Sequence, residues 1–184
     1  HSLALKNDGT AWAWGWNTLG QLGNGTTTDS NVPLQVSSLT GITAIASGVA
    51  HSLALKNDGT VWAWGRNFSG ELGNGTTGGT SSVPLQVSSL TGITVIAGGE
   101  GHSLALKNDG TVRAWGYNLI GQLGNGTTTD SNVPVQVTGG LCTMPTIAVN
   151  EITEQVSVSV FPNPTSGEFT VSGFSFPVQR IEAM

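Results

Sequence analysis

The segment HSLALKNDGT occurs three times, starting at His1, His51 and His102, and each time an Ala-Trp-Gly-bearing stretch follows it. A near-identical segment returning about every 50 residues means that one supersecondary unit is repeated. Each unit then buries its apolar face against its neighbours. The units run over 1–50, 51–101 and 102–137.

Within the first unit, Leu3 and Leu5 alternate with Ser2, Ala4 and Lys6, and Trp12 and Trp14 alternate with Ala11 and Ala13. That two-residue period is the mark of strands. Asp8-Gly9 between the two runs predicts a tight hairpin, because glycine accepts the positive φ that such a turn needs. The glycine-rich stretch from Gly20 to Gly25 and the threonines after it predict a long loop. Val32–Val36 reads as a short strand whose Pro33 suits a sheet edge, and Ile42–Ala46 reads as another before His51 restarts the cycle. Each unit therefore predicts four antiparallel strands and no helix.

A repeated four-stranded meander resembles the blades of a β-propeller. The motifs resemble the regulator of chromosome condensation repeat family: Ala46 to Leu55, then Asp58-Gly59, then Ala63 to Gly73, with Glu71 where that pattern carries Gln. The resemblance spans residues 1 to about 137 and implies an all-β, partial β-propeller. It also implies that the ITAIASG strand is innermost, the HSLALK and Trp strands lie in the middle, and VPLQV is outermost. A closed ring of about seven blades would need on the order of 350 residues, so the chain is expected to be part of a longer product. The first copy has no inner strand ahead of His1, and no Ile-Thr-x-Ile-Ala follows Val137.

The character changes after Val137. Residues 138–150, with Gly139, Gly140 and Pro145, read as a linker in which the lone Cys142 is a free thiol. Alternating Val156, Val158 and Val160 begin a second β domain over 151–184. Its FPNPTSGEFTV is similar to the opening of the C-terminal sorting domain carried by type IX secretion cargo of certain Gram-negative bacteria. That resemblance implies the first strands of a truncated β-sandwich, contact with the secretion machinery, and a secreted or outer-surface location.

Only 9% of residues are charged and the net charge is −5, with the six Lys and Arg residues scattered singly. No basic footprint for a phosphate backbone exists, which excludes nucleic acid as the expected partner. No run approaches the roughly 20 apolar residues of a membrane-spanning helix.

Catalysis is not expected. His and Ser are neighbours in each copy and Asp8 lies nearby, but adjacent strand residues point to opposite faces, and about 23 Å of extended strand separates His1 from Asp8. No dyad forms within a copy. His1, His51 and His102 have no Cys, Asp or Glu at ligand spacing and are expected to be structural, bonding a neighbouring turn; no metal or cofactor is expected. Phosphate cradling by the glycine-rich loop lacks the following helix and lysine. The sequons at Asn24, Asn74 and Asn125 are expected to be unmodified. Trp14, Trp64 and Trp115 are expected to pack between blades. Arg113, standing where other copies have Trp12 and Trp62, is expected to reach the blade's rim.

Function is then sought where the copies differ. KNDGT and SSLTGIT are constant, whereas the loop after the Trp strand reads WNTLGQ, RNFSGE and YNLIGQ, and the turn before His reads Val49-Ala50 or Glu100-Gly101. In a meander, the first and third connections lie at one end, so the two variable regions share a face. Loops that vary on a fixed scaffold are where recognition residues concentrate. Trp16, Leu19, Arg66, Phe68, Glu100, Tyr117, Leu119 and Ile120 form the candidate partner-binding set, rich in aromatic and Arg types. The expected function is a non-catalytic secreted or cell-surface scaffold binding a protein partner. Alternatives are a carbohydrate-binding module of a larger secreted enzyme, with Trp16 and Tyr117 stacking on a glycan, and a structural spacer of a surface adhesin. The family resemblance implies the first of these, since its members include an exchange factor for a small GTPase and bacterial proteins that clamp a partner enzyme.

Overall fold

The computed structural model describes residues 1–138. The linker expected beyond Thr138, Cys142 and the sorting-domain strands expected over 151–184 lie outside the described residues.

Eleven strands form three antiparallel sheets among these residues. The first sheet holds β1 (Ser2–Leu5), β2 (Ala11–Gly15) and β3 (Ser30–Gln35). The second holds β4 (Ile42–Ser47), β5 (His51–Lys56), β6 (Val61–Arg66) and β7 (Thr80–Gln86). The third holds β8 (Ile93–Gly98), β9 (His102–Lys107), β10 (Val112–Gly116) and β11 (Ser131–Gln136). Strands adjacent in sequence are adjacent in space, so each four-stranded sheet is a simple meander. The ITAIAS strand pairs with the HSLALK strand that follows it, Ile45 opposite Ala54 and Ala46 opposite Leu53. Each full sheet thus takes its first strand from the copy before.

Two apolar cores hold the sheets together, one at each joint. The first gathers Ala11, Ala13, Leu22, Val36, Leu39, Ile42, Ala54 and Trp64; the second gathers Leu53, Leu55, Val61, Leu72, Val87, Leu90, Ile93, Ile96 and Trp115. Because β5 alternates, Ala54 enters one core while Leu53 and Leu55 enter the other, and the strand is buried on both faces. Trp64 and Trp115 are fully buried between sheets, worth up to about 4–6 kcal/mol each. Trp14 is half-buried.

The two ends of the sheets differ in kind. At one end the constant hairpins meet the constant connections: Ile42 N donates to Gly9 O at 3.0 Å, and Asn57 N to Gly41 O at 2.9 Å. At the other, the variable loops meet the variable turns: Arg66 N donates to Ala50 O at 2.9 Å and Tyr117 N to Gly101 O at 2.8 Å. The register shifts between Ala63 and Gly65, and Gly65 has φ +96°. A Cβ there would stand 2.5 Å from Ala50 O, so only glycine lets the Trp strand pass this closely under the turn. Pro33, Pro84 and Pro134 lie on the outer strands, where a missing N–H blunts an open edge.

Candidate functional site

The variable end is built on a buried asparagine in each loop. Asn17 Nδ2 donates to Thr26 O and Thr28 O, both at 3.0 Å, while its Oδ1 accepts from Leu22 N at 2.9 Å. Asn118 does the same with Thr127 O, Thr129 O and Leu123 N. Asp29 and Asp130 accept from the backbone N of Asn17 and Asn118, each at 2.7 Å. In the second loop, whose sequence is one residue longer, Gly79 O takes that place, accepting from Asn67 N at 3.1 Å. These bonds satisfy the polar backbone of loops that have no ladder partners and leave the loop tips projecting. Asn17, Asn67 and Asn118 are not among the residues expected to matter, yet each recurs unchanged inside a loop that otherwise varies, and that constancy was the signal.

The rest of each loop clamps the next sheet. Ser52 Oγ and Trp64 Nε1 both donate to Gln21 O, at 2.8 and 2.9 Å; Ser103 Oγ and Trp115 Nε1 both donate to Glu71 O, at 3.0 and 2.8 Å. His1 Nε2 lies 2.9 Å from Ser52 Oγ, and His51 Nε2 lies 3.0 Å from Ser103 Oγ. A serine hydroxyl has one proton, and here it goes to the loop carbonyl. The imidazole therefore donates Nε2–H, which leaves Nδ1 bare and without a partner. Burial first, then the charges of His102 and Arg66, push His51 down to about 4, in keeping with a neutral ring. For His1 and His51 the expectation of a bond to a neighbouring turn is corrected: the partner is the serine of the following copy. The pairs are structural, because Ser103 is wholly buried and its proton is committed. Among the described residues no cluster of three His, Cys, Asp or Glu side chains is placed to hold a metal.

The candidate binding residues divide into two groups. Trp16 (43% exposed), Phe68 (53%), Leu119 (62%) and Ile120 (84%) present apolar surface to solvent, and Glu100 is exposed on the turn before His102. Leu19 and Tyr117 are half-buried. Arg66 is not free: its Nε lies 3.0 Å from Oε1 of the fully buried Glu71, and its guanidinium stands 5.4 Å from the Phe68 ring centre. The contact is a charge pairing without an aligned hydrogen bond, since neither atom finds a hydrogen-bond partner. Glu71 Oε2 accepts from Ser69 N at 2.8 Å, the role that Gln21 and Gln122 Oε1 fill for Leu19 N and Ile120 N. Glutamate thus replaces glutamine without loss of the loop bond, and arginine offsets the charge it brings. Arg113, expected at the rim, is half-buried on β10 opposite Gln136.

Charge is sorted between the ends. At the constant end Lys6, Lys56 and Lys107 pair with Asp8, Asp58 and Asp109 at 3.4, 3.3 and 3.1 Å. Hydrogen bonds from the Thr60 and Thr111 hydroxyls hold Asp58 and Asp109 down to about 2. Among the described side chains, the variable end carries Asp29, Glu71, Glu100 and Asp130 against Arg66.

A sequence profile described as regulator of chromosome condensation (RCC1) repeat matches residues 8–55, 58–106 and 109–147. The chain is 36% identical over 141 residues to the ultraviolet-B receptor UVR8 of Arabidopsis thaliana, covering 74% of this chain and 32% of that protein. It is 39% identical over 131 residues to the human E3 ubiquitin-protein ligase HERC2, covering 69% of this chain and 3% of the relative. The crystal structure of Prp20p from Saccharomyces cerevisiae is similar at a TM-score of 0.65 and 25% identity, covering 74% of this chain and 36% of that one. The chain spans about a third or less of the length of each.

Proposed function

Because this chain belongs to the regulator of chromosome condensation (RCC1) repeat family, we propose that it is a non-catalytic scaffold that binds a protein partner through its variable end. The observation that carries this reading is the projection of Trp16, Phe68, Leu119 and Ile120 into solvent at the end where the copies differ. Large apolar side chains left substantially exposed on ordered loops gain from being desolvated, and that gain drives protein association. Prp20p binds Gsp1p and histones, so a similar scaffold binds proteins. A secreted or surface location is part of the proposal and rests on FPNPTSGEFTV alone, outside the described residues.

The test is photo-crosslinking from Phe68 and Ile120 in the producing cells, followed by purification of the crosslinked protein and measurement of its affinity. Phe68→Ala with Ile120→Ala is expected to weaken that complex at least about tenfold with thermal unfolding unchanged. Undiminished binding refutes the assignment of this end. A glycan role rests on the exposed ring of Trp16; binding on a glycan array that Trp16→Ala abolishes would favour it.

A further inference from the structure

Granting that the variable end binds protein, we infer that the partner docks a cationic as well as apolar segment. The apolar contribution comes from Trp16, Phe68, Leu119 and Ile120, with Val49 exposed on the neighbouring turn. Val49 N reaches Glu100 O at 3.4 Å, so the two inner turns adjoin. The loops also interlock from sheet to sheet: Gly25 N donates to Ser82 O at 2.8 Å and Gly75 N to Asn132 O at 2.9 Å. The tips therefore stand along one continuous rim.

Among the described residues, the charged side chains on that rim that have no salt-bridge partner are all negative. Asp29 and Glu100 are exposed and Asp130 is half-buried, and none has a salt-bridge partner among the described residues. The one Lys or Arg side chain of this end among the described residues, Arg66, is neutralised by Glu71. The lysines sit at the opposite end, each beside its own aspartate. An anionic segment approaching the apolar tips would meet uncompensated like charge, whereas Lys or Arg flanking an aromatic or aliphatic anchor would meet opposite charge across less than a Debye length of about 10 Å.

Three length-matched peptides serve as probes of the purified chain: Lys/Arg alternating with Leu/Phe, Glu alternating with Leu/Phe, and Lys alternating with Ser. Binding is followed by calorimetry. The first peptide is expected to bind at least about tenfold more tightly than the other two. Raising salt from about 0.05 to 0.5 M should weaken it several-fold. Glu100→Lys should also weaken it, and Phe68→Ser with Ile120→Ser should abolish it, while thermal unfolding stays as in the parent chain. Equal binding of the Glu and Lys/Arg peptides, both lost in the Phe68/Ile120 variant, overturns the charge inference and leaves the protein-binding reading standing. Binding of the Lys/Arg peptide that ignores the rim substitutions overturns the inference and counts against the rim itself. Absence of binding by all three peptides also overturns it.

Discussion

His51 reaches across the joint between two sheets to place Nε2 3.0 Å from Ser103 Oγ, while that hydroxyl donates onward to Glu71 O. Ser103→Ala removes both bonds and leaves the imidazole N–H buried with no acceptor. The expected cost is about 1–3 kcal/mol in urea unfolding. Ser52→Ala, whose partner His1 is half-buried, should cost less.

Acid should weaken the array in two stages. The His51 pKa is lowered to about 4 by burial first, from an ordinary 6.5. Between those values the unfolded chain binds the proton and the folded chain does not, so the contribution is present above pH 6.5 and falls as pH drops toward 4. The slope is up to about 1.4 kcal/mol per pH unit. Asp58 and Asp109, held near 2 by threonine hydroxyls, shift in the same direction: their contribution is intact above 3.8 and is lost as pH falls from there toward 2. Unfolding midpoints measured against pH should show the first stage flattened in His51→Gln.

Arg66→Ala leaves the Glu71 carboxylate buried without a counter-charge. Discounted for an arginine side chain that is 32% exposed, the loss should be about 2–4 kcal/mol. Glu71→Gln keeps the bond from Ser69 N and should restore most of that stability when added to Arg66→Ala. A double-mutant cycle by thermal unfolding reads the coupling directly.

Gly23 and Gly25 share left-handed backbone, at φ +67° and +84°, but not surroundings. A Cβ on Gly23 would stand 2.6 Å from Trp64 Nε1, whereas one on Gly25 meets nothing within 4 Å. Gly25→Ala should cost about 1 kcal/mol of backbone strain. Gly23→Ala should cost that and more, because the indole bond to Gln21 O must give way; chemical denaturation of the two variants separates the terms.

The strands were legible because alternation, Asp-Gly turns and the period of about 50 residues all pointed the same way, whereas their inner-to-outer order was implied only by the family resemblance. The pooling of variable segments at one end followed from meander geometry alone. What the residues of one copy did not reveal was contact between copies. Opposite-facing neighbours such as His51 and Ser52 cannot meet each other, but the facing sides of adjacent sheets bring His51 to Ser103 and Ser52 to His1. Arg66 was legible as an outlier at its position, and Glu71 as another, but only the fold shows that the two departures compensate each other.

Since every complete sheet opens with a strand lent by the preceding copy, no seam depends on where a period is counted from. Deleting or duplicating one period, cut at any point, rejoins equivalent halves and leaves each His-to-Ser and Trp-to-carbonyl link with a matching mate. Such a change would add or remove one whole blade, and the proposed binding rim would lengthen or shorten with it.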